Sequence, residues 1–107
     1  MKDWLALGLA LVVGVSNGAA EPAPALVTAG RQWVEKNKCR VCHTVDGQGG
    51  KLGKPLNGAA TGKSDEYLGK VLRDPKSVLP RQSRMPAFTI SDEELAAVIA
   101  YLRSLKD

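Results

Sequence analysis

The sequence predicts a small all-α domain, and two observations carry that prediction. Three segments show the apolar spacing of amphipathic helices, and no segment alternates over several residues with β-branched or aromatic content. Long segments rich in glycine and proline separate the helices, which is unusual in so short a chain and needs an explanation. With 107 residues, 44% of them hydrophobic and 24% charged, the chain has the composition of one folded domain.

The N-terminal residues are predicted to lie outside that domain. Residues 1–20 combine an early lysine, an apolar run and a stretch of small residues, which is the pattern of an export signal cleaved after Ala20. The apolar run is shorter than the roughly 20 residues that a membrane-spanning helix needs, so no stable membrane insertion is expected. An uncleaved N-terminal tether is the alternative. Residues 21–25 then read as an extended proline-rich leader, and the domain covers residues 26–107.

The first two helices are separated by a loop. Apolar spacing predicts a helix over residues 26–37, with none starting before the leader ends. Residues 44–62 contain six glycines and few large side chains, so they are predicted to form a loop rather than a strand. The second helix follows Ser64 as its N-cap and ends before Pro75.

The third helix has the clearest signals. Ser91 is followed three residues later by Glu94, a capping box, and apolar residues then recur at helical spacing to about Leu105. Two prolines interrupt residues 76–90, which are therefore predicted to form a second long loop.

Both cysteines and the single histidine lie in one motif, Cys39-Arg-Val-Cys42-His43. This Cys-x-x-Cys-His pattern is typical of c-type haem attachment, in which two thiols become thioethers and the imidazole takes an axial iron position. One helical turn between the cysteines presents both thiols to the same porphyrin edge. The sequence therefore predicts one covalent haem c, held by Cys39 and Cys42, with His43 on the iron.

Three other interpretations of the motif agree less well with the rest of the chain. A thioredoxin-like redox pair requires a βαβ context, which the all-α prediction does not provide. A zinc site requires about four ligands, and only carboxylates remain for the fourth. A disulfide that closes so small a loop would remove little entropy from the unfolded chain.

Met85 is the candidate for the second axial position. The chain has one histidine, and of its two methionines Met1 is removed with the signal. Met85 lies in a proline-flanked loop that can hold the backbone stiffly. A lone methionine more often fills a gap in a core, but here the haem motif favours the ligand interpretation.

These segments, taken in order, resemble the small bacterial class I c-type cytochromes. The resemblance rests on "CRVCH", "YLGKVLRDP", "MPAF" and "VIAYLRSL", and it runs from Gly30 to Leu105. It implies a cytochrome c-like helical fold wrapped around one covalently bound haem, with the N- and C-terminal helices crossing near Gly30 and Ala100–Tyr101. It also implies electron transfer by iron that cycles between ferric and ferrous states.

The sequence departs from that family's pattern at two places. Where the family commonly has an aromatic residue five positions before the first cysteine, this chain has Val34 with Trp33 beside it, and either could pack inward. The family's Gly-Pro-x-Leu segment, whose proline carbonyl accepts the proton of the ligand histidine, has its proline one place late. The acceptor is therefore the carbonyl of Lys54 or of Pro55, since the ligand histidine needs one.

A further set of side chains is predicted to contact the haem, although each could equally be plain core or solvated surface. The haem contacts are Leu52, Pro55, Leu56, Tyr67, Leu68, Leu72, Arg73, Phe88 and Ile99. Cationic and hydroxyl groups would bind the propionates. The candidates for that role are Tyr67, Arg73, Arg81 and Arg84.

Filled axial positions argue against catalysis, so we expect a soluble carrier of single electrons and not an enzyme.

 The alternative is a haem subunit or gas- or peroxide-binding module of a respiratory enzyme complex, in which Met85 is displaceable. The chain is expected to be periplasmic and monomeric.

Basic residues cluster in sequence around the haem motif. They are Lys36, Lys38, Arg40, Lys51 and Lys54, and they predict a docking ring for redox proteins with acidic surfaces. A formal net charge of +4 is small for a nucleic-acid-binding protein, and two propionates would lower it, so nucleic acid is not an expected partner.

Overall fold

The computed structural model describes residues 23–107, so the predicted export signal and the first two leader residues lie outside the described residues. Three α-helices form the frame of this part of the chain, namely α1 (Pro24–Lys36), α2 (Asp65–Arg73) and α3 (Asp92–Ser104). The shorter elements are two 3₁₀ helices (Cys39–Val41 and Pro75–Ser77) and two paired strands, β1 (Thr44–Val45) and β2 (Gln48–Gly49). The predicted helical class is confirmed.

Helix α1 begins two residues earlier than the sequence predicts. Pro24 is its first residue, after Ala23 in an extended conformation (φ −64°, ψ 136°). Proline suits the first helical position because its missing N–H would have no partner there in any case. The expectation that no helix starts before residue 26 is therefore wrong.

The predicted caps of α2 and α3 are present. Ser64 Oγ accepts a hydrogen bond from the backbone N–H of Tyr67 at 3.0 Å. Ser91 Oγ accepts from the backbone N–H of Glu94 at 3.0 Å, while Glu94 Oε1 accepts from the N–H of Ser91 at 2.9 Å. Each cap satisfies N–H groups that a helix leaves free in its first turn.

A small hairpin replaces part of the first predicted loop. Thr44 pairs with Gly49 and Val45 with Gln48 in an antiparallel ladder. Between the strands, Asp46 and Gly47 have φ values of 51° and 82°. Positive φ at both turn residues is typical of an Asp-Gly hairpin. The prediction that this segment has no strand is wrong over these four residues.

Helices α1 and α3 cross in close contact. A Cβ built at Gly30 would collide with the carbonyl oxygen of Ala97 and lie 2.7 Å from Cβ of Tyr101, so the crossing requires glycine. The predicted crossing is present. Trp33 and Val34 are both buried in the core, and the Trp33 ring meets the ring of Phe88 edge-on with 5.5 Å between centroids.

Within residues 23–107, none of the helices combines the length and the apolar character that crossing a bilayer requires.

Candidate functional site

The Cys39–Cys42–His43 motif lies on a single tight turn directly after α1. Lys38 adopts a left-handed conformation (φ 59°, ψ 34°) that redirects the chain into the 3₁₀ helix. The N–H groups of Cys42 and His43 both donate to the carbonyl oxygen of Cys39, at 3.3 and 3.1 Å. Both thiols are free and half-buried. One turn therefore separates the thiols, as the spacing predicts.

The Cys39 thiol is held in its neutral form. Burial raises its pKa to about 11, and the nearby Cys42 and Glu35 add to the rise. Because the thiolate is the nucleophile, the Cys39 sulfur reacts slowly near neutral pH while the chain has this fold.

The imidazole of His43 is oriented by the backbone of the glycine-rich loop. Its Nδ1 lies 2.6 Å from the carbonyl oxygen of Lys54. Since a carbonyl can only accept, Nδ1 is the donor, and in the neutral ring the lone pair is then on Nε2. Of the two acceptors that the sequence left open, Lys54 is the one present. Nε2 is the ring nitrogen available to a metal.

Gly53 lies against this ring, where a side chain would not fit. A Cβ at Gly53 would lie 2.5 Å from Cε1 and 2.8 Å from Nδ1 of His43. The N–H of Gly53 donates to the carbonyl oxygen of Cys42 at 2.7 Å, and that of Gly50 donates to Arg40 at 2.9 Å. The close contact of Gly53 with the ring was not predicted from the sequence, although the glycine cluster was a visible signal.

Met85 lies in the irregular segment between α2 and α3. Its half-buried side chain packs against the hydrophobic core, as does that of Cys39. The backbone N–H of Met85 donates to Ser83 Oγ at 3.3 Å. The fold thus brings the methionine and a haem-attachment cysteine to one core, while the role of Met85 as an iron ligand stays a prediction.

The other predicted haem contacts divide by burial. Those in the core are Leu56, Leu68, Leu72 and Ile99, and Tyr67 and Phe88 pack partly buried against it. Pro55 and Leu52 lie on the surface, with Leu52 70% exposed. The structure tests none of these as haem contacts, so they stay predictions.

Among the predicted propionate partners, Arg73 is already engaged elsewhere. Its Nη2 donates to the carbonyl oxygen of Ile90 at 2.7 Å and to Asp92 Oδ1 at 3.0 Å. Arg81 and Arg84 are exposed. The sequence could not reveal the Arg73 contacts because they join residues 17 and 19 positions apart.

The basic residues around the motif come from two segments that lie side by side. The hydrogen bonds from Gly50 to Arg40 and from Gly53 to Cys42 hold residues 50–54 against residues 38–42. Arg40 forms an ion pair with Glu35 at 3.2 Å, which offsets part of its charge. Val41, which is 69% exposed, adds an apolar side chain to this region.

Comparison with known proteins agrees with this geometry. The family profile described as Cytochrome c matches residues 27–106. A protein described as cytochrome c oxidase subunit 2, from Alkalihalophilus pseudofirmus, is 39% identical in an alignment of 106 residues. The match covers 91% of this chain and 31% of that protein. The chain therefore spans less than a third of the length of that relative. No solved structure matches. The chain belongs to the cytochrome c family.

The residues present fit the covalent haem c that this family binds. The turn supplies two unbridged thiols at the required spacing, and the imidazole beside them has its Nε2 free of the Lys54 hydrogen bond. When bound, a haem supplies an iron that gains and loses one electron. The polypeptide fixes the attachment points, orients the imidazole and provides an apolar core, and these residues would hold a group that can carry single electrons.

Proposed function

We propose that this protein is an exported carrier of single electrons, with His43 and Met85 as the two axial ligands of its haem iron. The observation that carries the proposal is the packing of Met85 against the same core as Cys39. A half-buried thioether that packs against the same core as an attachment cysteine could supply the second ligand of the iron. The fixed imidazole of His43 supplies the first ligand.

This ligand pair suits electron transfer rather than catalysis. A thioether favours ferrous iron, and apolar surroundings disfavour the extra charge of the ferric state, so the reduction potential is raised. With both axial positions filled, the iron has no position for a substrate. The chain is then a carrier and not an enzyme.

Optical spectra of the purified haem protein test this assignment. We expect a weak near-infrared band in the ferric protein and no spectral shift when carbon monoxide is added to the ferrous protein. Met85→Ala should lose the band and bind carbon monoxide, whereas Gln82→Ala, which changes an exposed side chain of the same segment, should behave as wild type. Prompt binding of carbon monoxide by the wild type would overturn the carrier proposal.

The docking surface proposed for partners is the basic region around the haem motif. Lys36, Lys38, Lys51 and Lys54 are exposed, and this arrangement favours redox proteins with acidic surfaces. Replacing Lys36 and Lys38 with Glu should slow electron exchange with an acidic partner at low ionic strength, and added salt should remove the difference. Replacement of two lysines elsewhere, Lys70 and Lys76, matches the charge change. An equal effect of both double variants would argue against a localised site.

We also propose export to the periplasm, with cleavage after Ala20 and a monomeric product. The support is the signal-like pattern of residues 1–20, and the alternative is a retained N-terminal tether. Mass spectrometry of the protein from a periplasmic fraction tests cleavage. A chain that starts near residue 21 is expected, and an intact N-terminus in the membrane fraction would support the tether. Sedimentation of the soluble product tests its monomeric state.

A second candidate is the haem-bearing module of a respiratory complex. It is favoured by the similarity to a protein described as a cytochrome c oxidase subunit. Co-purification with other subunits would support this candidate, and a free, soluble haem protein would support the carrier.

A further inference from the structure

The segment that carries Met85 makes few hydrogen bonds to the rest of the fold. Residues 78–91 contain no helix or strand. On the N-terminal side of Met85 the hydrogen bonds are local. The N–H groups of Val78 and Leu79 donate to the carbonyl oxygen of Pro75 at 3.1 and 2.8 Å, and Ser83 N–H donates to that of Pro80 at 2.9 Å. Met85 N–H donates to Ser83 Oγ at 3.3 Å. These bonds shape the segment but do not join it to any of the three α-helices.

On the C-terminal side, Ser91 caps α3, and two further contacts join the segment to the end of α2. The backbone N–H of Phe88 donates to the carbonyl oxygen of Leu72 at 2.8 Å. Two positions further on, the carbonyl oxygen of Ile90 accepts from Nη2 and Nε of Arg73, at 2.7 and 3.3 Å. The second of these contacts is made by the side chain of Arg73 and can therefore be removed by substitution.

The Arg73 guanidinium also reaches Asp92, the first residue of α3, at 3.0 Å. The Asp92 side chain is 92% exposed, so the ion pair by itself contributes little. The carbonyl of Ile90 is the stronger attachment, because Ile90 is buried and a charged donor strengthens the hydrogen bond. The arginine thus joins α2, the Met85 segment and the start of α3.

We propose that Arg73 is a positioning residue for Met85. By holding Ile90, it limits the outward movement of the segment and keeps the thioether at the iron. The inference rests on the proposed ligation by Met85. It assigns to Arg73 a role that differs from the propionate contact that the sequence suggested.

The test measures how readily an added ligand displaces Met85 in the haem protein. Imidazole binds ferric iron only when the methionine leaves, so its affinity reports the opening of the segment. We expect Arg73→Gln to bind imidazole roughly tenfold more tightly than wild type, the effect of losing about one charged hydrogen bond. The reduction potential should fall in the same variant, and Arg73→Lys should show a smaller change because it keeps the charge.

Arg103 provides a matched control. Its guanidinium also holds backbone carbonyls, those of Ala60 and Lys63 at 3.2 and 3.0 Å, and pairs with Asp65 at 2.6 Å. None of these partners lies in the Met85 segment. Arg103→Gln should lower thermal stability with little change in imidazole affinity.

Two further variants separate the ion pair from the carbonyl contact. Asp92→Asn removes the charge that faces Arg73, and Glu93→Gln makes the same change at the next residue, so both should leave imidazole affinity near the wild-type value. If Arg73→Gln folds poorly, Arg73→Lys still provides the measurement. Equal imidazole affinity in wild type and both Arg73 variants would overturn the proposal.

The proposed ligation can fail separately, and that failure is seen in the wild type alone. A wild-type protein without the near-infrared band, or one that binds carbon monoxide at once, would remove Met85 from the iron and overturn this inference with it. A wild type with the band, together with Arg73 variants that bind imidazole no more tightly, would overturn only the role of Arg73.

Discussion

The imidazole of His43 donates a hydrogen bond from Nδ1 to the carbonyl oxygen of Lys54 at 2.6 Å. The acceptor belongs to the backbone, so no side-chain substitution removes it directly. Gly53 directly precedes Lys54, and a Cβ at Gly53 would collide with the same ring. The orientation of the proposed iron ligand is therefore decided by a loop of the chain about ten residues away.

Gly53→Ala should displace the His43 ring. The added Cβ would lie 2.5 Å from Cε1 and 2.8 Å from Nδ1, closer than side-chain atoms tolerate. We expect a lower yield of haem protein and a shifted reduction potential, measured by the pyridine haemochrome assay and by redox titration. Gly69→Ala is the control, since its Cβ would meet only Cδ2 of Leu95 at 3.1 Å. A wild-type potential and yield in Gly53→Ala would contradict the role of Gly53 in orienting His43.

Gly30→Ala should destabilise the crossing of α1 and α3. The new methyl group would meet the backbone carbonyl of Ala97, which cannot rotate away as a side chain can. We expect a loss of about 1–3 kcal/mol, typical of overpacking, measured by urea unfolding of the haem protein. Thr28→Ala, an exposed change in the same helix, should have little effect. Equal unfolding midpoints for Gly30→Ala and wild type would show that the helices can separate at no cost.

Asn57→Ala should loosen the contact between the hairpin and the C-terminal residues. The Asn57 side chain accepts from the N–H of Asp46 at 2.8 Å and donates to Asp46 Oδ1 and to the carbonyl oxygen of Lys106, at 2.9 and 2.7 Å. We expect a loss of about 1–2 kcal/mol by chemical unfolding, less than three full hydrogen bonds because water replaces part of them. Asn37→Ala, which removes one local hydrogen bond, should cost less.

The Cys39 thiol should be unreactive near neutral pH before haem attachment. Burial raises its pKa from 9.0 to about 11, so at pH 8 the thiolate fraction is about a hundredfold below that of an ordinary cysteine. In a Cys42→Ser background, alkylation by iodoacetamide should be slow in the folded chain and fast in urea. The folded rate should rise with pH up to about 11, where the difference closes. Equal rates in buffer and in urea at pH 8 would refute the raised pKa.

Residue types and short spacings are enough to predict the class of site and the helical frame of the fold. The haem motif and the caps at Ser64 and Ser91 each depend on residues within a few positions of one another, so they can be predicted from the sequence alone. The same holds for the apolar spacing of α3. The first two residues of α1 differ from the prediction, because a proline-rich segment favours an extended chain, although proline also suits the first position of a helix.

The tertiary structure decided the contacts between segments that are distant in sequence. It selected Lys54 as the acceptor for His43, buried both Trp33 and Val34, and placed Arg73 on Ile90 rather than leaving it free. Each of these depends on how loops and helices pack in three dimensions. Residue type and spacing show which groups can bond, whereas the folded backbone decides which partner comes within reach.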